Sequence, residues 1–188
     1  MKHKMFLICL VSLTVIGTGL SAPSKSGAEP APVFRPLIDD IRSQLPQGLK
    51  IRLPSSLPSP PPNVRLYPYI LSDNKVFGVN LAVTPNCSSS NHPSSCTVGG
   101  LGVFTPDSSK VWPPKGDNVT PVDLRNGIRG FYLTRGNGNS TNKYVFWQQD
   151  GLEYTLGVGG GASKEVSQQQ MIDMAISAVN EPPITSPK

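Results

Sequence analysis

The chain has 188 residues, of which 37% are hydrophobic and only 15% charged, with 20 prolines and 18 glycines. This length predicts a single domain, and the proline and glycine content indicates many turns and some unstructured chain. The formal net charge of +5 is spread along the chain without any run of Lys or Arg, which argues against nucleic acid as a partner.

The N-terminal 28 residues have the pattern of a secretory signal peptide. Lys2 and Lys4 precede an uncharged apolar run over residues 6–20, and small residues follow. The run is shorter than the about 17 residues that a membrane-spanning helix needs, so a retained anchor is the less favoured alternative. Cleavage after Ala22 or after Ala28 fits the pattern. Removing the signal takes away three lysines and no acid, which leaves 14 basic and 12 acidic residues and a net charge of +2.

We therefore expect a secreted or periplasmic protein, which would contact a membrane only through an uncleaved signal. Two cysteines follow the signal, Cys87 and Cys96, and an oxidising compartment favours a disulfide between them. Together with His92 they also form Cys-x4-His-x3-Cys, which offers three zinc ligands but no evident fourth. We expect the disulfide, with no metal and no other cofactor.

The sequence predicts a flexible tail over residues 29–32, one domain over 33–181 and a disordered tail over 182–188. The domain begins with a predicted helix over 34–45, where apolar residues fall at i, i+3, i+4, i+7 and i+11 from Phe34.

A short predicted strand over 49–53 leads into a proline-rich connector over residues 54–62. The connector cannot join a sheet, because proline lacks the amide donor, and we expect it to be extended. From residue 64 the pattern changes to strands. Residues 64–71 and 76–84 flank a turn, and 97–104 follow the cysteine loop.

Residues 105–120 are predicted to form a loop that contains Trp112. This tryptophan would belong to a binding lid or would fold back to cap an edge of the core. After the loop, Asn126-Gly127 is a strong signal for a hairpin turn.

A second hairpin is predicted around Asp150-Gly151. A two-residue turn there places Gln149 opposite Leu152, Trp147 opposite Tyr154, and Val145 opposite Leu156. That face is apolar almost throughout. The other face is expected to be partly wet and carries Tyr144, Phe146, Gln148, Glu153 and Thr155.

The glycines at 157–161 form, with Ala162, a GxGxxA pattern that is typical of dinucleotide binding. Such a site would need the helix to begin at the glycines and a parallel strand to follow. Ser167 instead fits an N-cap, with Gln170 completing a capping box. We interpret the glycines as a loop before a helix over 167–180. Its Met171 and Met174 lie on an apolar stripe that packs on the sheet or lines a ligand groove.

Three segments, VDLRNGIRGFYL, YVFWQQDGLEYTL and SQQQMIDMAISAV, together resemble a small bacterial envelope domain of unknown function. That domain occurs in exported proteins, including secreted proteins of cyanobacteria, and beside anti-sigma-factor modules. The layout is more distantly similar to the half-barrel of periplasmic lipoprotein carriers and sigma-factor regulators. The resemblance implies a fold and a compartment but no catalytic residue. It is carried, within about residues 120–180, by Gly127, Gly130, Trp147, Asp150, Gly151, Tyr154, Ser167 and Ala175.

The predicted fold class is α+β: a curved antiparallel sheet of six to eight strands, covered by an N-terminal and a C-terminal helix. The predicted core contains Phe77, Val79, Leu81, Val145, Trp147, Tyr154, Leu156, Met171, Met174 and Ala175.

No arrangement of residues indicates an enzyme. A serine triad would have to use His92, which no rigid element positions, and the carboxylate pairs Asp39/Asp40 and Asp150/Glu153 are typical of solvated sites. We expect an exported, non-enzymatic interaction or sensor module, whose partner is an unknown envelope protein. The alternative is a periplasmic carrier that holds a lipid or other apolar ligand between sheet and helix. Candidate contacts for a ligand or partner are Trp112, Tyr144, Phe146, Met171 and Met174.

Overall fold

The computed structural model describes residues 29–106, 108, 112–116, 118–137, 141–160 and 162–187. The signal peptide predicted over residues 1–28 therefore lies outside the described residues. The elements, in chain order, are a 3₁₀ helix Pro32–Leu37, α1 Ile38–Gln44, β1 Lys50–Ile51, β2 Tyr67–Ser72, β3 Val76–Ala82, 3₁₀ turns Cys87–Ser89 and Pro93–Ser95, β4 Thr97–Phe104, β5 Val119–Asp123, β6 Arg129–Arg135, β7 Asn142–Gln149, β8 Leu152–Val158, α2 Ala162–Glu165, α3 Gln168–Asn180 and β9 Ile184–Thr185.

Most of the described chain forms one antiparallel sheet of seven strands in the order β2-β3-β4-β8-β7-β6-β5, and β1 pairs with β9 in a separate two-stranded sheet. This agrees with the predicted α+β class and strand number. The inner face of the large sheet is the one that carries the paired row Val79, Leu101, Leu156 and Val145, all of them buried. The outer face carries the alternate residues of the same strands.

The hairpin of β7 and β8 has the predicted register. Gln149 pairs with Leu152, Trp147 with Tyr154, and Val145 with Leu156. The turn residues Asp150 and Gly151 have φ of 55° and 75°, the left-handed conformations that a two-residue turn of this type requires.

The predicted core is confirmed, because all ten of its residues are buried. Its centre is a stacked pair, Trp147 and Tyr154, with ring centroids 5.2 Å apart. The Tyr154 hydroxyl donates a hydrogen bond to the Lys50 carbonyl oxygen at 2.8 Å, and burial raises the pKa of this phenol to about 12.

One prediction for the outer face was wrong. Glu153 was expected on a partly wet surface, yet it is 5% exposed, and burial raises the pKa of its carboxyl above the ordinary value. Its cross-strand neighbour Gln148 is exposed. Alternation along the strand therefore identified the face of Glu153 but not how much of that face the rest of the chain covers.

The N-terminal helix begins differently from its prediction. Residues 32–37 are 3₁₀, and the α-helical hydrogen-bond pattern starts only at Ile38. Pro36 lies inside the 3₁₀ segment, and Ile38, the first residue of α1, donates its amide to the Arg35 carbonyl oxygen. The strand predicted over 49–53 shortens to Lys50–Ile51.

Both stretches predicted as tails take part in the fold. The Ala31 amide donates a hydrogen bond to the Pro54 carbonyl oxygen at 2.9 Å, and Ala31 is buried, so packing begins within residues 29–32. Within 182–188, β9 pairs Ile184 with Ile51. A single apolar residue among prolines gives no periodicity, and for that reason the sequence pattern missed this strand.

The last helix follows its prediction. The Ser167 side chain accepts a hydrogen bond from the Gln170 amide, and the Gln170 side chain accepts one from the Ser167 amide. Met171 and Met174 are buried against the core. The short helix α2, directly after the glycines, was not predicted. Across the ranges that the structure describes, no helix is long and apolar enough to span a bilayer.

Arg52 connects three parts of the chain that are far apart in sequence. Its guanidinium donates to the Asp150 carboxylate at 2.7 Å and to the carbonyl oxygens of Val179 and Glu181, at the end of α3. The Arg52 side chain is 10% exposed, and its hydrogen bond holds the pKa of Asp150 below the ordinary value.

Replacing Arg52 by Met keeps the apolar stem but removes the donors to the end of α3 and the partner of Asp150. We expect the free energy of unfolding to fall by about 2–4 kcal/mol, because buried acceptors lose their bonds. Urea denaturation at pH 7 measures this change. The matched variant Asp150→Asn removes only the partly exposed ion pair and should cost about 1 kcal/mol. Equal losses of unfolding free energy in the two variants would mean that the bonds from Arg52 to the end of α3 contribute little to stability, contrary to this prediction.

Glu153→Gln should stabilise the protein at neutral pH. The folded-state pKa of Glu153 is raised, so its contribution to stability is greatest below the unfolded-state value and declines as pH rises through the folded-state value. The melting temperature of the variant should therefore exceed that of the wild type more at pH 7 than at pH 4. Glu165→Gln, at an exposed position, is the control. An equal difference in melting temperature between Glu153→Gln and the wild type at both pH values would refute the prediction.

Candidate functional site

An apolar cleft of about 660 Å³ lies between the inner face of the sheet and the proline-rich connector. We call it the connector cleft. Its floor comes from β4 and β8 together with the end of β3, one wall is the connector, and the remaining boundary comes from the 3₁₀ helix, α2 and α3. The lining includes Phe34, Pro54, Leu57, Val64, Leu81, Val98, Gly99, Leu101, Leu156, Val158, Ala162, Val166 and Met174.

The connector forms a wall that is not hydrogen-bonded into the sheet. Along 54–62, all of which the structure describes, the backbone accepts two hydrogen bonds from other backbone groups: the Ala31 amide donates to the Pro54 carbonyl oxygen at 2.9 Å, and the Val64 amide donates to the Pro61 carbonyl oxygen at 3.1 Å. The prolines have no amide to donate, so they cannot extend the ladder of the neighbouring strands. Leu57 and Leu66 still pack against the core, which keeps the connector over the sheet.

The cleft is closed at one end and open at the other. Leu101 and Leu156 on the floor are 4% and 3% exposed, whereas Val98 and Val158, further along the same two strands, are only half-buried.

The end of β3, the third strand of the floor, shows the same trend in exposure. Leu81 is 8% exposed, whereas Val83, two residues on, is 40% exposed. Among the other lining residues, Phe34 is 2% exposed, like the residues of the closed end, whereas Glu165 and Gln170 face solvent. The cleft therefore deepens along the strands, away from α2.

The chemistry of the lining is that of a binding site for apolar molecules. Among the described lining residues, Glu165 is the single ionisable side chain, and Ser59 and Gln170 supply the other polar groups. Such a set can bury aliphatic surface and hydrogen-bond one polar end of a ligand.

The structure does not bring the five predicted contact residues together. Met174 lines the connector cleft, whereas Met171 is fully buried under α3. Trp112, Tyr144 and Phe146 belong to the opposite side of the molecule. Trp112 is folded back, with its ring 5.2 Å from that of Phe131 on β6, so it packs on the outer face of the sheet.

The outer face carries a second, shallower depression of about 360 Å³. Its walls include Tyr144 and Phe104, each of which contacts the ring of Phe146. Its floor is largely backbone, because four glycines meet there on three adjacent strands: Gly78, Gly100, Gly102 and Gly157.

Cys87 and Cys96 form a disulfide with an S–S distance of 2.05 Å, as the sequence predicted. The loop that it closes adjoins the open end of the cleft, because the Val83 amide donates to the Cys96 carbonyl oxygen at 3.0 Å. His92 lies exposed in this loop. Across the described ranges there is no cluster of three or more His, Cys, Asp or Glu side chains that could hold a metal ion.

The glycines at 157–160 do not lead into a nucleotide-binding arrangement. Both neighbours of β8, β4 and β7, are antiparallel to it, and the strand after α3 pairs with β1 in the other sheet. The parallel strand that such a site requires is thus not formed by the described chain. Gly157 contributes backbone to the connector cleft instead.

Sequence reasoning missed most of the cleft. Phe34 was assigned to a helix stripe, Leu57 to an extended connector and Val158 to a glycine loop. One usable signal was present: apolar residues such as Leu57 and Val64 flank prolines that cannot pair in a sheet, so their side chains need another surface to cover. Met171 and Met174 are both predicted as core and as groove residues, and of the two only Met174 lines the cleft.

Comparison with models of protein families, with curated proteins and with solved structures finds no match.

Removing the disulfide should lower stability. The two cysteines are nine positions apart, and closing a loop of this length contributes about 2–3 kcal/mol by restricting the unfolded chain. We expect this loss in urea denaturation of a Cys87→Ser/Cys96→Ser variant. Wild-type protein in excess reductant should lose the same amount, and a much smaller loss in both would contradict a disulfide in the native protein.

Proposed function

We propose that this protein is a non-enzymatic, secreted or periplasmic binder of an apolar small molecule of the lipid class, held in the connector cleft. The observation that carries the proposal is the cleft itself: about 660 Å³ of apolar space between the sheet, the connector and the helices. Ligand pockets commonly have volumes of about 300–1,000 Å³ and mostly apolar linings with a few polar groups.

The cleft changes the order of the two functions expected from the sequence. An interaction or sensor module came first there, and a carrier second. A carrier needs unfilled apolar space between sheet and helix, whereas an interaction module needs a filled core and an apolar surface. Val98 and Val158 line the cleft and are only half-buried, which supports the carrier.

In this proposal the sheet curves around its inner face, and the N-terminal and C-terminal helices cover that face as the sides of a ligand chamber. Phe34 from the N-terminal segment and Met174 from α3 both line the cleft, which supports this arrangement. The proposal is also consistent with the distant similarity to lipoprotein carriers and with the export that the signal pattern predicts.

An interaction module remains the second candidate because of the aromatic side chains on the outer face. Tyr144, Phe146 and Phe104 form a contiguous group there and are half-buried rather than fully covered. An envelope protein captured by the wild type and by a variant with a blocked cleft, but lost on Tyr144→Ser, would favour this candidate.

The carrier proposal predicts that blocking the open end of the cleft weakens binding of an apolar ligand. Ala162 is half-buried in the lining, so Ala162→Trp should fill the mouth and weaken binding of the apolar fluorophore N-phenyl-1-naphthylamine by about tenfold or more, as insertion of bulk costs about 1–3 kcal/mol. Gln169→Trp, at an exposed position outside the lining, is the matched control. Fluorescence titration measures both.

Native mass spectrometry of protein isolated from an exporting host provides a second readout. We expect a bound lipid on the wild type and on Gln169→Trp, and much less on Ala162→Trp. Wild-type protein that binds neither the fluorophore nor any lipid would overturn the proposed function.

A further inference from the structure

We propose that the ligand is a single-chain aliphatic amphiphile that enters tail first, and that Phe34 sets the longest tail that the cleft accepts. This inference rests on the proposed function and adds the ligand class, the orientation and the residue that determines specificity.

The closed end of the cleft is where the tail should lie. Phe34 is 2% exposed there, and Leu101 and Leu156 on the floor are also buried. The Phe34 amide donates to the Ala31 carbonyl oxygen, and the Ala31 amide donates to Pro54, which also lines the cleft. The backbone that carries the ring is therefore tied to the start of the connector, and the ring itself belongs to the buried part of the lining.

The open end is where a polar head should lie. Glu165 and Gln170 are the polar side chains of α2 and α3 that line the cleft, and both are exposed. A head group beside them keeps its contact with water and can accept or donate hydrogen bonds. A head at the Phe34 end would lose its hydration among apolar side chains, which is costly for any polar group.

The lining favours a flexible aliphatic chain over a flat ring system. Phe34 is the single aromatic residue among the described lining residues, and the other apolar ones are branched aliphatic residues, prolines, glycines, Met174 and Ala162. Aromatic ligands gain from ring contacts that this set does not offer along the floor. A saturated chain gains from burial alone, in proportion to its length.

The test is a series of straight-chain primary alcohols of increasing length, which displace N-phenyl-1-naphthylamine from the full-length mature protein. Each added methylene should tighten binding by about fourfold until the tail meets Phe34, after which affinity stops rising. In Phe34→Ala the affinity should continue to rise to a longer chain than in the wild type. In Phe34→Leu, which keeps the core better filled, the break should shift in the same direction by less.

Glu165→Gln is the control for position, because it alters the open end and should leave the break at the wild-type length. A break at the same chain length in the wild type and both Phe34 variants would overturn the inference while leaving binding in the cleft intact. A continued rise in wild-type affinity with no break would also overturn it. Failure of every alcohol to displace the fluorophore would instead count against the proposed function.

Discussion

The arrangement of this molecule depends on one buried cation. Arg52 holds the turn of the β7–β8 hairpin through Asp150 and the end of α3 through two carbonyl oxygens. Only two residues later, at Pro54, the proline-rich connector begins. The connector thus starts directly after the residue whose side chain joins the last helix to the central hairpin. A guanidinium suits this role because it is planar, stays charged when buried and has five donors to share among several acceptors.

The connector cleft results from two local properties of the sequence acting together. Prolines keep the connector from pairing as another strand, so it lies over the inner face without closing against it. On the floor, Gly99 is the central residue of the row Leu81, Gly99 and Val158, and it has no side chain to fill the space. A Cβ at this position would lie 2.7 Å from the Gly157 carbonyl oxygen, so the close approach of β4 and β8 requires glycine here. The constraint that brings the two strands together also leaves the cleft unfilled.

Local patterns were enough to predict what depends on neighbours in sequence. The register of the β7–β8 hairpin follows from Asp150-Gly151, and the start of α3 follows from Ser167 and Gln170. Contacts between distant segments were beyond such patterns. The pairing of Ile184 with Ile51 joins residues more than 100 positions apart, and the cleft is lined by both the connector and the sheet. The cleft is of this second kind, because its lining comes from at least five separate stretches of chain.

The disulfide affects how firmly the mouth of the cleft is held. Val83 and Val98 lie at the open end, on either side of the loop that Cys87 and Cys96 close, and a backbone bond ties Val83 to Cys96. Where both cysteines are reduced to thiols, this part of the rim is held by backbone bonds alone. Where they are oxidised, the disulfide adds a covalent brace. The entrance of the cleft is therefore looser in the reduced protein than in the oxidised one, so the redox state of a single cysteine pair sets how firmly the rim is held.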